Sequence, residues 1–171
     1  MICRAVCFIL FFISFFALAE QKVIEQKVKF NLAWQYEKDF MGFSHVWLAD
    51  YQNNFRSNLS LTITGVKDLK FDLQTLHKEP QSYYQERQRW SQSRGFKFLD
   101  PIQPQLFNIQ SSEQFFSIGF TYQKLDKVIQ EMTYYGYCQG ELIHLKSVSL
   151  KSETQQLKEL QNAIKKMECL K

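Results

Sequence analysis

Glycine and proline are scarce in this chain of 171 residues, which holds six of the first and three of the second. That scarcity excludes collagen-like and linker-type chains, and no internal repeat or low-complexity tract interrupts the apolar pattern. The few glycines form neither a GxGxxG nor a Walker-type loop, so no phosphate cradle and no nucleotide binding are expected. HExxH, CxxC and GxSxG are likewise missing, which leaves no sequence signature of a zinc site or of a serine nucleophile elbow. Blocks of like charge are lacking too, so neither a nucleic-acid arm nor an acidic tail is expected.

What the chain does have begins with its longest apolar run. Residues 1–4 are a short basic start, 5–18 are apolar, and Ala17-Leu18-Ala19 closes the run in small residues. This is the pattern of a secretory signal cleaved after Ala19. An uncleaved anchor is the competing reading, but the run falls a little short of the about 20 residues that span a bilayer. Neither Cys3 nor Cys7 stands just after the run, as a lipid-anchored cysteine would. Export to the periplasm or the cell exterior is therefore expected, with residues 1–19 as signal, 20–26 as a polar lead-in and 27–171 as one α+β domain. Losing the signal removes Arg4 and no acid, so the net charge moves from +4 to +3. Nothing after Leu18 is apolar for long enough to cross a membrane, and a soluble monomer is expected.

Cys138 and Cys169 then remain, in a compartment that permits oxidation. A disulfide and two free thiols both fit. The bond would add about 3 to 4 kcal/mol by chain entropy, yet Cys169 falls opposite the apolar face of the last predicted helix.

Residues 27–36 alternate strictly, with Val28, Phe30, Leu32, Trp34 and Tyr36 on one face, which predicts a half-buried strand. Further strands are predicted at 44–49 and 59–64, separated by a polar connection over 50–57. β-branched residues thin out over 72–94, and a helix is predicted from Pro80, suited to a first helical position, to Gly95. Its inward side carries Tyr83, Tyr84 and Trp90, and a short helical turn precedes it at 73–76. Beyond it the chain is extended over 96–99, 106–110 and 114–122. It then turns into 127–137 and, at Gln139-Gly140, into 141–150, an antiparallel meander. Ser152 with Gln155 reads as a capping box for a last helix that runs to about Met167. The fold class is α+β: an antiparallel sheet with a middle helix and a C-terminal helix packed on it.

The stretch Tyr134-Tyr135-Gly136-Tyr137-Cys138-Gln139-Gly140-Glu141-Leu142-Ile143-His144-Leu145, followed by a capped helix, together with the order of elements over 27–171, resembles the PsbP-like fold. That fold includes the extrinsic photosystem subunits and the DcrB-type bacterial envelope proteins. A Pro-then-Trp pair is expected after the second strand, where this chain reads Trp47-Leu48-Ala49-Asp50-Tyr51. The resemblance implies an assembly factor or accessory binding module and carries over no catalytic residue.

Of the three histidines, His45 and His144 fall on predicted strands that could bring them together, while His77 does not. No carboxylate at ligand spacing accompanies them, so structural roles are expected, with no metal and no other cofactor. Cys138 stands six residues before His144 across a tight turn, and a structural thiol or disulfide half is expected there rather than a nucleophile. The aspartates fall mostly in predicted turns, so paired acid and base carboxylates are not expected and neither is enzyme activity. The positive surface feature is the run 83–97, where Arg87, Arg89, Trp90, Arg94 and Lys97 interleave basic and aromatic side chains. In an exported protein this suits an anionic envelope component or acidic protein face rather than nucleic acid. The plain alternative is a helix with its aromatic residues packed inward and its basic ones solvated. Asn58-Leu59-Ser60 is an N-glycosylation acceptor pattern, relevant in a eukaryotic setting, and a bacterial envelope is preferred. The resulting expectation is an exported, non-enzymatic accessory or binding module of the cell envelope. The alternative is a small-ligand or lipid carrier whose aromatic residues, 16% of the chain, line a pocket.

Overall fold

The computed structural model describes residues 22–25, 27–64 and 77–170. The signal expected at 1–19 and the helical turn expected at 73–76 lie outside them. In chain order the elements are β1 (Lys22–Ile24), β2 (Val28–Phe30), β3 (Gln35–Phe40), β4 (Phe43–Gln52), β5 (Phe55–Thr64), α1 (Gln81–Ser93), β6 (Lys97–Asn108), β7 (Gln114–Lys124), β8 (Lys127–Cys138), β9 (Glu141–Leu150), α2 (Thr154–Lys165) and β10 (Glu168–Cys169). Strands β3-β4-β5-β9-β8-β7-β6 make a seven-stranded sheet, and β1-β2-β10 make a small second one. The pairings are antiparallel. The meander β6 to β9 is joined by short turns, as the sequence pattern predicts.

Period-two alternation gives the large sheet two faces that bury different things. Leu59 and Leu61 of β5, Ile143 and Leu145 of β9, Tyr134 of β8 and Phe115 of β7 share the first face. They form one core with Leu160, Ala163 and Ile164 of α2 and with Val28, Phe30 and Cys169 of the small sheet. Phe30 meets Trp47 edge-on at 4.8 Å. On the second face Phe120, Tyr122, Ile129 and Leu150 make a smaller cluster, on which Tyr83 and Trp90 of α1 pack.

Four expectations about element boundaries change. The alternating run over 27–36 is two strands in two sheets, because the chain bends over 31–34. Val28, Phe30 and Tyr36 nevertheless pack with one core, so alternation survives a corner it does not reveal. The polar connection over 50–57 is mostly strand, with a turn only at Asn53-Asn54. Residues 97–108 are a single edge strand despite Pro101 and Pro104. Edge position makes missing N–H donors tolerable, and register shifts fall at Phe98/Pro101 and Ile102/Gln105. Finally, α2 starts after Glu153 with no side-chain cap, so the capping box does not form, and it stops at Lys165.

That early stop decides the cysteines. Cys169 lies on β10, not on a helix, and is bonded to Cys138 with Cα atoms 5.3 Å apart. A helical wheel does not apply past Lys165, which is why the objection from the apolar face fails.

Candidate functional site

Helix α1 has a stripe at Tyr83, Arg87, Trp90 and Arg94, the i, i+4, i+7, i+11 spacing that stays on one face. The Trp90 ring meets Phe96, Phe120 and Tyr122 edge-on at 5.9, 6.1 and 5.6 Å. Arg94 lies over the Trp90 ring at 5.7 Å, and Arg87 lies over Tyr83 at the same distance. Arg89 and Lys97 are exposed. Of the basic and aromatic run, therefore, Arg87 and Trp90 hold the helix to the sheet, Arg94 braces Trp90, and Arg89 and Lys97 face solvent.

Arg87 meets a carboxylate that the sequence reading passed over. Glu131 on β8 is 3% exposed, with Lys146 Nζ at 3.0 Å and Arg87 Nη1 at 4.0 Å. A buried carboxylate needs a cation beside it, and here one comes from the neighbouring strand and one from the helix. The signal was present in the strand pattern. Ile129, Glu131, Thr133 and Tyr135 share one row of β8, so a lone acid stood where the row turns inward. Burial pushes the Tyr83 phenol well above its ordinary range beside this acid and Thr133. His144 stacks on Tyr135 at 4.8 Å, and burial first, then Lys146, holds its pKa below the ordinary value.

The structure separates the other candidates. His45 is opposite Leu61 and thus on the first face, while His144 is opposite Thr62 and on the second. His45 Nδ1 is 2.8 Å from the Tyr36 hydroxyl, and its Nε2 is 3.6 Å from Glu25. His77 stands edge-on to Phe116. Among the described residues no group of three or more His, Cys, Asp or Glu converges. Cys138, tied to Cys169, lies on the opposite face from His144.

A different feature stands out at the free edge of β3. The β3–β4 hairpin closes through Phe40-Met41-Gly42-Phe43, where Met41 is 81% exposed, Phe43 44% and Phe40 38%. Met41 and Gly42 have φ of 51° and 84°, the double left-handed turn that Asn and Gly usually fill. The next hairpin has an ordinary solution at the same geometry, Asn53-Asn54 with φ of 50° and 56°. At the first tip Met41 stands where Asn is usual, and apolar surface is left in water. Neither choice helps folding, and both suit contact with something else.

Antiparallel sheet, middle helix on one face and closing helix on the other define a PsbP-like α+β fold. Two solved structures are similar to it. LpqN of Mycobacterium tuberculosis, described as involved in cell envelope biogenesis, superposes with a TM-score of 0.57 at 12% identity, covering 84% of this chain and 83% of that one. The cyanobacterial PsbP (CyanoP) of Synechocystis sp. PCC 6803 also gives 0.57, at 9% identity, covering 90% of this chain and 93% of that one. No family model matches the sequence, and no curated protein matches it.

Proposed function

We propose that the chain is an exported, non-enzymatic accessory or binding module of the cell envelope that docks through the β3–β4 tip. The observation that carries this reading is the apolar tip itself, three large side chains exposed around a turn in which Met41 takes a left-handed backbone that a bulky side chain does not favour. The envelope role of the similar LpqN structure supports the setting, and no described helix is long and apolar enough to cross a membrane. Arg89 of α1, Arg94 just past its end and Lys97 at the start of β6 are the proposed contact for an anionic component, beside a helix that Arg87 and Trp90 hold in place. They lie toward the other end of the sheet, so the two contacts are separable. A lipid carrier loses ground because the rings of the second face, Trp90, Phe96, Phe98, Phe120 and Tyr122, contact one another instead of lining a pocket.

The test is a photocrosslinking amino acid at Met41, at Arg89 and at Asn53 in the chain expressed in its own host. An envelope adduct at Met41, lost when Phe40 and Phe43 become Ser and absent at Asn53, is the expected result. Adducts at Arg89 alone would move docking to the helix, and adducts at no position would remove the docking reading. Turnover of chromogenic esters or glycosides by the purified chain would overturn its non-enzymatic character.

A further inference from the structure

A cavity of about 200 Å³ lies between the C-terminal part of α2 and the first face of the large sheet. It is lined by Gln105 and Phe107 of β6, Ser117 of β7, Met132 and Tyr134 of β8, and Gln161, Ile164 and Lys165 of α2. Its origin is legible in the strands. The inward row of β7 has Ser117 level with Leu145 of β9 and Leu61 of β5. The small side chain leaves a depression there. Met132 lies across Gly119, where an added Cβ would come within 2.3 Å of its sulfur, and so forms one wall. Phe107 and Tyr134 stand at 90° to each other with centroids 6.4 Å apart and form two more. The register shift between Ile102 and Gln105 is where β6 turns Gln105 and Phe107 toward this space.

We propose that this cavity binds a small single-ring carboxylate, its ring against Phe107, Tyr134, Met132 and Ile164 and its carboxylate at Lys165. Size decides the body of the ligand. An apolar cavity of about 150 Å³ accepts benzene, while drug-sized ligands occupy about 300 Å³ or more, so the space suits one ring with a short tail and excludes a lipid. Charge decides the head. Among the described residues lining the cavity, Lys165 carries the only charge, Gln105 and Gln161 supply amide donors, and no carboxylate is present. A charge-assisted bond to an ammonium favours a carboxylate over a neutral amide by about fivefold. This site is independent of the docking reading, since it adjoins β6 while the apolar tip adjoins β3, and those strands are opposite edges of the sheet.

The experiment uses the chain as its host exports it, ¹⁵N-labelled, titrated with phenylacetate, phenylacetamide and 2-phenylethylamine and followed by amide chemical shifts. Phenylacetate is expected to shift the amides of Phe107, Ser117, Tyr134 and Ile164 in a saturable way, with Kd on the order of 1 mM for so few atoms. Phenylacetamide should bind about fivefold more weakly, and the amine should cause no saturable shift. Lys165→Gln, at an exposed position, should make acid and amide equal. Ser117→Leu should fill the floor and abolish both. Shifts that do not saturate or lie elsewhere, an amine that binds as well as the acid, or an acid preference that survives Lys165→Gln would each overturn the proposal, whether or not Ser117→Leu folds.

Discussion

The two faces of the seven-stranded sheet are closed by different physics. On the first face α2 and the small sheet cover a mainly apolar surface with no buried carboxylate among the described residues, and the Cys138–Cys169 bond ties β10 to the end of β8. On the second face α1 rests on stacked rings, and Glu131 lies buried between Lys146 and Arg87. Apolar closure is non-directional and tolerates approximate packing, whereas a buried charge is stable only while its partners stay in place. The first face should therefore depend on area and a covalent tie, and the second on the position of a few groups.

Three measurements sharpen or break this contrast, and the largest effect is expected on the first face. Replacing both Cys138 and Cys169 by Ala should lower stability by about 3 to 4 kcal/mol on the chain-entropy estimate for the loop they close, read as a fall in urea midpoint. A loss below about 1 kcal/mol would mean that packing alone holds β10. Next, Lys146→Met should cost about 2 to 3 kcal/mol, because Glu131 keeps its burial and loses its nearer cation. Adding Glu131→Leu should restore most of that loss, since a dry apolar pair carries no desolvation cost. If the double variant is as unstable as the single, the seam is ordinary packing and the contrast fails.

The smallest effect concerns pH. Burial and then Lys146 depress the His144 pKa from its ordinary 6.5, so the unfolded chain takes up a proton at a higher pH than the folded one. Stability is fully present above pH 6.5 and declines as pH falls through the interval down to the folded pKa. His144→Gln should flatten that decline, and the imidazole resonance of the native protein should titrate below 6.5. Titration at or above 6.5 would show that the second face is wet at this point.

The contrast also explains what could be read in advance. The meander came through because β7, β8 and β9 alternate cleanly and are joined by short turns, so local rules and tertiary structure agree there. Helix α1 came through because Pro80 and Gly95 bracket it. The split of 27–36 did not, because both halves point to the same core, and neither did the apolar tip. Phe40, Met41 and Phe43 follow Glu37-Lys38-Asp39 without a period that assigns them to a face, and their exposure is seen only in the fold. Arg87 illustrates the opposite case. Its sequence neighbours marked it as surface charge, and its inward role follows from Glu131, which lies 44 residues away.

The amino-acid sequence by itself determined the class, the antiparallel meander and the two helices. Each of these follows from the spacing of apolar residues over a few turns or strands, and such spacing is local. The tertiary structure alone decided that Cys169 meets Cys138, that Glu131 is flanked by two cations, that a cavity opens over Ser117 under α2, and that three apolar side chains at 40–43 stay in water. Those four outcomes depend on which strand lies beside which and how far each helix reaches, and contacts between distant residues leave no period in the chain.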